Sequence, residues 1–348
     1  MATPPLVIPV FIPHFGCPHQ CVFCNQSLIT GQKRHLPDTA QIRDIINRYL
    51  PFKGQRKQVE LAFFGGNFLG LDRADLVRLL DIAASCLEKG IIHGIRFSTR
   101  PDTVAPKTLD LVAPYPVSLV ELGVQSMDDN VLEMAGRGHT RRDTLDAVMH
   151  LRAAGLPFGV QVMAGLPGDR QETMLCTARS LAALEPATAR IYPLVVLENT
   201  PLARAYRAKE YTPLSLERAV EITAKIYGIF SPAGVKVIRM GLQETDVSAD
   251  ESAFLAGPRH PAFGHLVLSA VLYEQVLEAV QPLVRDPGCN AVLLRVHPRS
   301  ESRLRGNKNK NLKQLNSRFP GIDFRIIPDP VMQTDQVTAV PAPVRSPA

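Results

Sequence analysis

Three cysteine thiols lie within eight residues near the start of the chain, at Cys17, Cys21 and Cys24. They follow a short apolar run, 6–12, which predicts a buried strand and places the thiols on the loop after it. Thiolates are soft, strongly donating ligands, so three on one loop can hold one iron–sulfur cluster or one zinc ion. The remaining cysteines are scattered along the chain: Cys86, Cys176 and Cys289.

The number of protein ligands decides what such a metal centre can do. A structural zinc site or a closed [4Fe–4S] site uses four protein ligands. A cluster held by three cysteines leaves one iron open to a small molecule, and that arrangement suits chemistry. Zinc stays an alternative, with His14 or His19 as the fourth ligand.

Length and composition fit a soluble enzyme. The chain has 348 residues, with 45% hydrophobic and 21% charged residues, enough for one large core and a smaller lobe. Six cysteines, three of them clustered, indicate metal binding in a reducing compartment rather than a disulfide framework. The N-terminus lacks the basic segment of a signal peptide, and we identify no apolar stretch long enough to span a bilayer. We therefore expect a cytoplasmic protein that does not associate with a membrane.

The apolar pattern alternates between strands of about six residues and helices of about ten or more, which is typical of parallel βα units. About six such units fit between Leu6 and Val195, too few for a closed eightfold barrel. Strands predicted at 291–296 and 323–327, with a helix near 309–319, indicate a small C-terminal α/β lobe. We predict a core domain at 1–243, the lobe at 244–330 and a disordered tail at 331–348, which has few apolar anchors.

The spacing of the three cysteines, with Phe23 just before the last of them, resembles the signature of the radical S-adenosylmethionine (SAM) superfamily. The resemblance implies that Cys17, Cys21 and Cys24 hold a [4Fe–4S] cluster whose open iron is chelated by SAM. It implies reductive cleavage of SAM to a 5′-deoxyadenosyl radical, which abstracts hydrogen from a substrate, and an external electron donor of the flavodoxin or ferredoxin kind. The implied fold is an open (βα)6 partial TIM barrel, in which functional groups gather at the C-terminal ends of the strands.

Gly65-Gly66-Asn67 follows the second predicted strand. Paired glycines let a backbone approach a ligand closely. The element resembles the Gly-Gly-Glu of the superfamily, which accepts hydrogen bonds from the SAM amino group. Asn67 departs from that pattern, because it removes a carboxylate. We predict SAM contacts at these three residues.

Two further strand ends carry polar side chains. Ser98 and Arg100 end the third strand, where a hydroxyl and a guanidinium suit a ribose or a carboxylate. Without further motifs, an exposed arginine beside a Ser–Thr turn is the favoured interpretation of Arg100. The strings Thr-Arg-Pro-Asp at 99–102 and Gly-Val-Gln-Ser at 123–126 resemble the branch that includes the catalytic subunit of Elongator. The resemblance makes Gln125 and Ser126 candidates for ribose contacts or for positioning substrate.

Glu121, on the same strand as Gln125, is a candidate inward-facing catalytic residue. Arg137-Gly138-His139 also matches the Elongator-type branch, so Arg137 is predicted to neutralise the SAM carboxylate or a substrate anion. His139 is a candidate general acid or base. An exposed loop between two helices would also account for Arg137 and His139. On the fifth strand, Gln161 and Met163 are predicted cofactor contacts, and the resemblance implies that Met163 and the backbone of this stretch pack on the adenine of SAM.

The resemblance covers roughly Pro9 to Gln243, and we expect no room after it for the acetyltransferase domain of the Elongator-type proteins. Between Arg295 and Arg325, nine Lys or Arg stand against two acidic residues, and the formal net charge is +6. RNA is therefore the first substrate hypothesis, because the cations of this basic lobe could bind its phosphates. The resemblance implies that the RNA is a tRNA. One alternative is a reaction like that of the oxygen-independent porphyrinogen oxidases. The other is a non-catalytic, zinc-binding or metal-sensing RNA-binding protein.

Overall fold

The computed structural model describes residues 4–26, 28, 35–242 and 253–342. The described chain divides into two compact units. The first takes in the residues up to Ala219 together with Ile229–Pro261, and the second takes in Val220–Gly228 and the residues from Ala262 onward. The predicted domain boundary at residues 243 and 244 lies outside the described residues.

The first unit is built on a parallel sheet of seven strands that curls into an open half-barrel. Its strands neighbour one another in chain order, as expected when crossover connections separate parallel strands. They are Leu6–Phe11 (β1), Val59–Phe64 (β2), Gly94–Thr99 (β3), Val117–Gln125 (β4), Phe158–Ala164 (β5), Thr188–Pro193 (β6) and, after a two-residue strand β7 at Val196–Leu197, Lys236–Met240 (β8). The predicted open partial barrel is confirmed, with β8 added as a seventh strand.

The first part of the chain contains eight described helices outside the 3-10 turns. They are Thr39–Tyr49 (α1), Arg73–Glu88 (α2), Pro106–Val112 (α3), Asp129–Met134 (α4), Arg141–Ala153 (α5), Gln171–Ala182 (α6), Pro201–Arg207 (α7) and Leu216–Phe230 (α8). Capping boxes start two of them by satisfying the free N–H groups of the first turn. Asp38 and Gln41 cap α1, and Thr140 and Asp143 cap α5. The loop that carries Arg137 therefore ends at a defined point.

A stack of three buried phenylalanines fixes the turn after β2. The ring centroids of Phe63 and Phe68 are 4.9 Å apart, and those of Phe68 and Phe97 are 4.7 Å apart. All three side chains are fully buried. Because Phe63 and Phe68 flank the Gly65-Gly66-Asn67 turn, burying both rings holds that turn at the ends of β2 and β3. A short antiparallel pair, β7 with Phe254–Ala256 (β9), completes the first unit.

The second unit is a small α/β lobe, as predicted. Its three-stranded sheet has the order β11-β10-β12. The elements are Phe263–Val280 (α9), Ala291–Val296 (β10), Glu301–Arg305 (α10), Lys310–Arg318 (α11), Asp323–Pro328 (β11) and Val337–Pro341 (β12). Its core combines Leu272, Val276, Val280, Val292, Leu294, Val296, Leu304, Leu315 and Val337.

The segment predicted to be a disordered tail from residue 331 contains β12, which pairs antiparallel with β10. Val337 is buried in the core of the unit, and its N–H donates to Gln275 Oε1 at 3.2 Å. The segment is ordered because it pairs with a strand that is distant in sequence. Its low apolar content therefore did not predict disorder correctly. Residues 343–348 lie outside the described chain.

One helical segment in the described chain, Phe263–Arg285, has the length and composition of a membrane span. The expectation that no apolar stretch is long enough is therefore wrong on those two measures. Within the second unit, however, Leu272, Val276 and Val280 of this segment pack into the core beside the sheet. One face of the segment is therefore part of the core of the second unit.

Candidate functional site

A cavity of about 1450 Å³ runs along the concave face of the half-barrel to the C-terminal ends of its strands. Cys17, Cys21 and Cys24 all line it. Nine other predicted site residues line it as well: Gly65, Gly66, Ser98, Arg100, Glu121, Gln125, Arg137, Gln161 and Met163. The parallel fold thus brings together residues from β2, β3, β4 and β5 around the cysteine loop.

The two glycines after β2 make room for the start of that loop. A Cβ at Gly66 would lie 2.5 Å from the carbonyl oxygen of Ile12 and 2.7 Å from that of Phe15. Gly65 has a φ of +87°, a backbone conformation that favours glycine. The turn therefore depends on both glycines, one for space and one for backbone conformation.

Backbone hydrogen bonds hold the cysteine loop from both sides. Asn67 N donates to the carbonyl of Phe15 at 2.8 Å, ahead of the first cysteine. Farther on, Val22 N donates to the carbonyl of Ala135 at 3.0 Å, and the Val22 carbonyl accepts from Leu202 N at 2.9 Å. Contacts within the protein thus define the path of the loop.

Arg137 places a buried cation against the thiols. Its Nη1 donates to Cys21 Sγ at 3.2 Å, and its Nη2 donates to the carbonyl of Gly123. The carbonyl of Arg137 accepts from Nη2 of Arg100, whose guanidinium also pairs with Asp102 at 2.9 and 2.8 Å. These bonds fix the orientation of both guanidinium groups.

Two of the three thiols, Cys17 and Cys24, do not ionise readily by themselves. Burial raises the pKa of Cys17, and Cys21 raises it further, while Arg100 and Arg137 act in the opposite direction. Burial, with Cys21 and Cys17, raises the pKa of Cys24 to about 12. Thiolates at Cys17 and Cys24 therefore require a strongly cationic partner, which a metal centre supplies.

The donor set fits a [4Fe–4S] cluster. Each thiolate binds a different iron of a cluster, so the three sulfurs need not converge on one point. Within the described ranges, no group of three or more His, Cys, Asp and Glu side chains is placed to hold a single ion. His14, one proposed fourth zinc ligand, uses Nε2 to accept from Gln26 N at 3.0 Å. The ring of His19, the other, lies against Gly138.

Four charged side chains form a row across the concave face. Both carboxylate oxygens of Glu121 accept from Arg190, with Nη2 to Oε1 at 2.9 Å. Arg96 lies between Glu121 and Glu60, at 3.5 and 3.4 Å. Burial is the largest single effect and lowers the pKa of Arg190, but Glu121 and Tyr192 together hold that pKa above its ordinary value. Barrel interiors are usually packed with branched apolar side chains, so this row indicates a polar wall for a ligand.

The end of β4 presents an amide to the cavity from an uncommon backbone conformation. Gln125 has a φ of +69°, and the register between β4 and β5 shifts between Leu122 and Gln125. Gln125 Oε1 accepts from Gln161 Nε2 at 3.4 Å. Backbone strain of this kind clusters at functional sites.

Two predicted SAM contacts do not line the cavity. Asn67 is fully buried behind the cysteine loop, where its Nδ2 donates to the carbonyl of Gly16 at 2.7 Å. Ser126 is also buried, and its hydroxyl accepts from Asp128 N at 3.1 Å and lies 3.4 Å from Thr177 Oγ1. Both placements have the same reason, because a position at a strand end does not decide the direction of the side chain; the SAM contacts themselves stay predictions.

His139, the predicted general acid or base, also lies outside the cavity lining. It is 4% exposed. Burial, followed by the charges of Arg137 and Arg100, lowers its pKa to about 3. The imidazole is therefore neutral at physiological pH, and it is placed away from the space where a ligand would bind.

Sequence reasoning missed the row of charges except for Glu121. A signal was present, since Arg96 lies two positions before Ser98 and shares its face of β3. Arg190 is the register partner of Gln161 on the neighbouring strand. Each of these arginines lies inside an otherwise apolar strand and on the same face as a predicted site residue. That combination was the signal that a charged side chain faces the cavity.

Two protein families match consecutive parts of the chain. The model of the radical SAM superfamily matches residues 11–181, and that of the radical SAM C-terminal domain matches residues 186–272. A tRNA uridine(34) acetyltransferase from Methanocaldococcus jannaschii is 28% identical over 290 residues, which cover 72% of this chain and 52% of that relative. The heme chaperone HemW of Lactococcus lactis is 23% identical over 288 residues, covering 76% of this chain and 75% of that relative.

A solved structure of the archaeal Methanocaldococcus infernus Elp3, with an N-terminal deletion, has the same fold. Its TM-score is 0.61 at 23% identity, covering 80% of this chain and 64% of that chain. This chain spans about half the length of the tRNA uridine(34) acetyltransferase that it matches. Two family models, a shared fold and a three-cysteine loop lining the barrel cavity agree: the chain belongs to the radical SAM superfamily, whose cofactors are a [4Fe–4S] cluster and SAM.

Proposed function

We propose that this protein is an enzyme that cleaves SAM reductively and abstracts hydrogen from a nucleoside of tRNA. The observation that carries the chemistry is the trio of cysteines at the cavity, with Arg137 donating to Cys21 Sγ at 3.2 Å. When bound, the cluster and SAM supply one-electron cleavage of a sulfonium, which yields a carbon radical. An external one-electron donor of the flavodoxin or ferredoxin kind would reduce the protein.

The residues of the chain would bind SAM and exclude water. The Gly65-Gly66 turn offers backbone groups, and Arg100 and Arg137 offer positive charge for a carboxylate. Gln125, Gln161 and Met163 line the part of the cavity proposed for the nucleoside of SAM. Typical ligand pockets have volumes of about 300–1,000 Å³. A cavity of about 1450 Å³ therefore leaves room for a substrate beside SAM.

The charged row is the proposed substrate wall. Glu121 was a candidate catalytic residue, but both of its oxygens accept from Arg190. A carboxylate held in this way orients its partners rather than acting as a free base. Breaking such a buried pair costs about 3–5 kcal/mol, so we assign Glu121 to shaping the wall.

A basic concavity in the second unit supports RNA as the substrate. Its volume is about 630 Å³, and its lining includes four cations, Lys308, Lys310, Lys313 and Arg318, but no acidic residue. These cations form no ion pair within the described chain. In contrast, three arginines of the same unit are paired with carboxylates: Arg295, Arg305 and Arg325. The concavity therefore keeps positive charge available for phosphates.

The fold adds an aromatic ring to the basic concavity. Tyr273, from α9, lines the same concavity as the lysines. Single-stranded nucleic acid is commonly held by cations along the backbone and by aromatic rings under the bases. Lys308 and Asn309 both have a positive φ, 51° and 61°, in the turn that leads into α11. That turn places Lys308 and Lys310 at the rim together.

Anaerobic reconstitution tests the chemistry. We expect a brown protein that releases 5′-deoxyadenosine from SAM on reduction. Cys24→Ser should lose both properties, while Cys176→Ser, which changes an exposed cysteine, should keep them. A colourless wild-type protein that binds one zinc would contradict the proposal and favour the metal-sensing alternative.

The second candidate is a reaction like that of the oxygen-independent porphyrinogen oxidases, and the similarity to a heme chaperone favours a tetrapyrrole as the ligand. The two candidates differ in the molecules that change when the enzyme is absent. Comparing modified nucleosides and tetrapyrroles in a deletion strain separates them. The RNA proposal expects one tRNA nucleoside to lose its modification while tetrapyrrole levels stay at the wild-type value.

A further inference from the structure

We infer that Asn67 is a positioning residue for the cysteine loop, holding the backbone just before Cys17 against the end of β3. The inference rests on the cluster of the proposed function, and it assigns Asn67 a role other than contact with SAM. Asn67 is 0% exposed and does not line the cavity. A SAM contact through the Asn67 side chain would require that side chain to face the cavity.

Both ends of the Asn67 amide are used. Nδ2 donates to the carbonyl of Gly16 at 2.7 Å. Oδ1 accepts from Arg100 N at 2.9 Å, from Thr103 Oγ1 at 2.9 Å and from Thr99 Oγ1 at 2.7 Å. One side chain thus joins the cysteine loop to the end of β3 and to the turn after it.

The length of the side chain matters as much as its polarity. A Cβ at Gly70 would lie 2.2 Å from Asn67 Nδ2, and one at Gly16 would lie 2.1 Å from the Asn67 carbonyl oxygen. Glycines on both sides therefore let the backbone close around the amide. An aspartate fits the space but has no donor for Gly16, and a glutamate is one methylene too long.

The connection continues to a second cysteine. Asn67 holds the backbone of Arg100, whose Nη2 donates to the carbonyl of Arg137. Arg137 in turn donates to Cys21 Sγ. Asn67 therefore acts on the loop directly beside Cys17 and, through two arginines, at Cys21. Hydrogen bonds to ligand sulfurs and the orientation of ligands set the affinity and the reduction potential of a cluster.

Asn67→Asp tests the inference in the reconstituted full-length protein. We expect iron to be lost to a chelator about tenfold faster than from the wild type. We also expect a shifted reduction potential in a titration followed by electron paramagnetic resonance. The SAM affinity of the protein that retains its cluster should match the wild type.

Asn311→Asp is the matched control, because Asn311 is a buried asparagine in the second unit. Its Nδ2 donates to the carbonyls of Ser269 and Leu304, each at 3.1 Å. The same chemical change there should leave iron retention and potential at wild-type values. If Asn67→Asp fails to fold, Thr103→Val removes a single donor to Oδ1 and should shift both measurements in the same direction by less.

Three results would overturn the inference. One is Asn67→Asp with normal iron retention and potential but weakened SAM binding. Another is Asn67→Glu with a stable cluster and tighter SAM binding, as a SAM contact predicts. A third is Thr103→Val identical to the wild type in both measurements. A wild-type protein that takes up no cluster would instead overturn the proposed function, and the inference with it.

Discussion

Arg137 and Arg100 place two buried positive charges beside three thiols, and electrostatics explains the arrangement. Thiolates and sulfides give a cluster negative charge, which burial penalises unless cations lie nearby. The same two arginines lower the pKa of Cys17 and so oppose the effect of burial. The side chains that orient the cysteine loop thus also compensate the charge that it carries.

His139 stays neutral near these cations. Burial, then Arg137 and Arg100, lowers its pKa to about 3, while Asp143 acts in the opposite direction. The ordinary pKa in the unfolded chain is about 6.5. Between those two values the unfolded state binds a proton that the folded state does not, so stability present above about pH 6.5 is lost as the pH falls.

We predict that the free energy of unfolding falls less steeply between about pH 7 and pH 5 in His139→Gln than in the wild type. The reason is that the variant has no ring to protonate on unfolding. Denaturant titrations at the two pH values measure the difference. His35→Gln, which changes an exposed histidine, should keep the wild-type slope. Parallel pH dependence of His139→Gln and the wild type would contradict the prediction.

At the scale of elements, the strands and helices could be predicted because burial imposes a regular spacing on them. The second predicted strand corresponds to β2, since five of its six residues are apolar and glycines follow it. Side-chain direction at strand ends could not be predicted in this way. Gln125 adopts a positive φ beside a register shift, which ends the alternation before Ser126. Asn67 turns inward because Gly16 and Gly70 leave space for it, and only the folded structure shows that space.

Pairing between distant segments was equally hidden from local patterns. β12 is ordered because β10 offers it a partner, and Arg190 reaches Glu121 across β5. The spacing of nearby residues identifies the partner in neither pairing, although the position of Arg190 inside an apolar strand was a signal. At the cysteine loop, a short motif was enough to predict the site from resemblance to a family. No such motif marks the charged row, so the row was missed apart from Glu121.

The turn after β2 allows a test of close packing. Gly66→Ala would bring a Cβ within 2.5 Å of the carbonyl oxygen of Ile12. We predict a loss of about 1–3 kcal/mol in the free energy of unfolding, because backbone must shift to admit the methyl group. Denaturant unfolding of the metal-free protein measures it.

Gly228→Ala is the control for that substitution. It lies in α8, and nothing is within 4 Å of a Cβ placed there. Alanine is the better helix former by about 0.8–1.0 kcal/mol, so this variant should gain stability. A Gly66→Ala protein as stable as the wild type would contradict the prediction. It would show that the backbone at the start of the cysteine loop shifts at a lower cost in free energy than its contacts indicate.

For the whole molecule, the distribution of charge is more informative than its sum. A formal net charge of +6 permits a polyanionic partner without selecting one. In the second unit, carboxylates neutralise Arg295, Arg305 and Arg325, while the cations of the basic concavity remain unpaired within the described chain. An RNA that binds there should release counterions in proportion to the lysines that it contacts.

We predict that changing Lys308, Lys310 and Lys313 together to Gln weakens binding of single-stranded RNA and flattens its salt dependence. Each phosphate that a lysine no longer neutralises should reduce the slope of log affinity against log salt by about 0.7, or about 2 for three lysines. Fluorescence anisotropy with a labelled oligonucleotide at several salt concentrations measures both effects. Changing Arg295, Arg305 and Arg325 to Gln removes the same charge from the same unit, yet should leave the slope near the wild-type value. Equal weakening by the two triple variants would mean that net charge, and not the basic concavity, attracts the RNA.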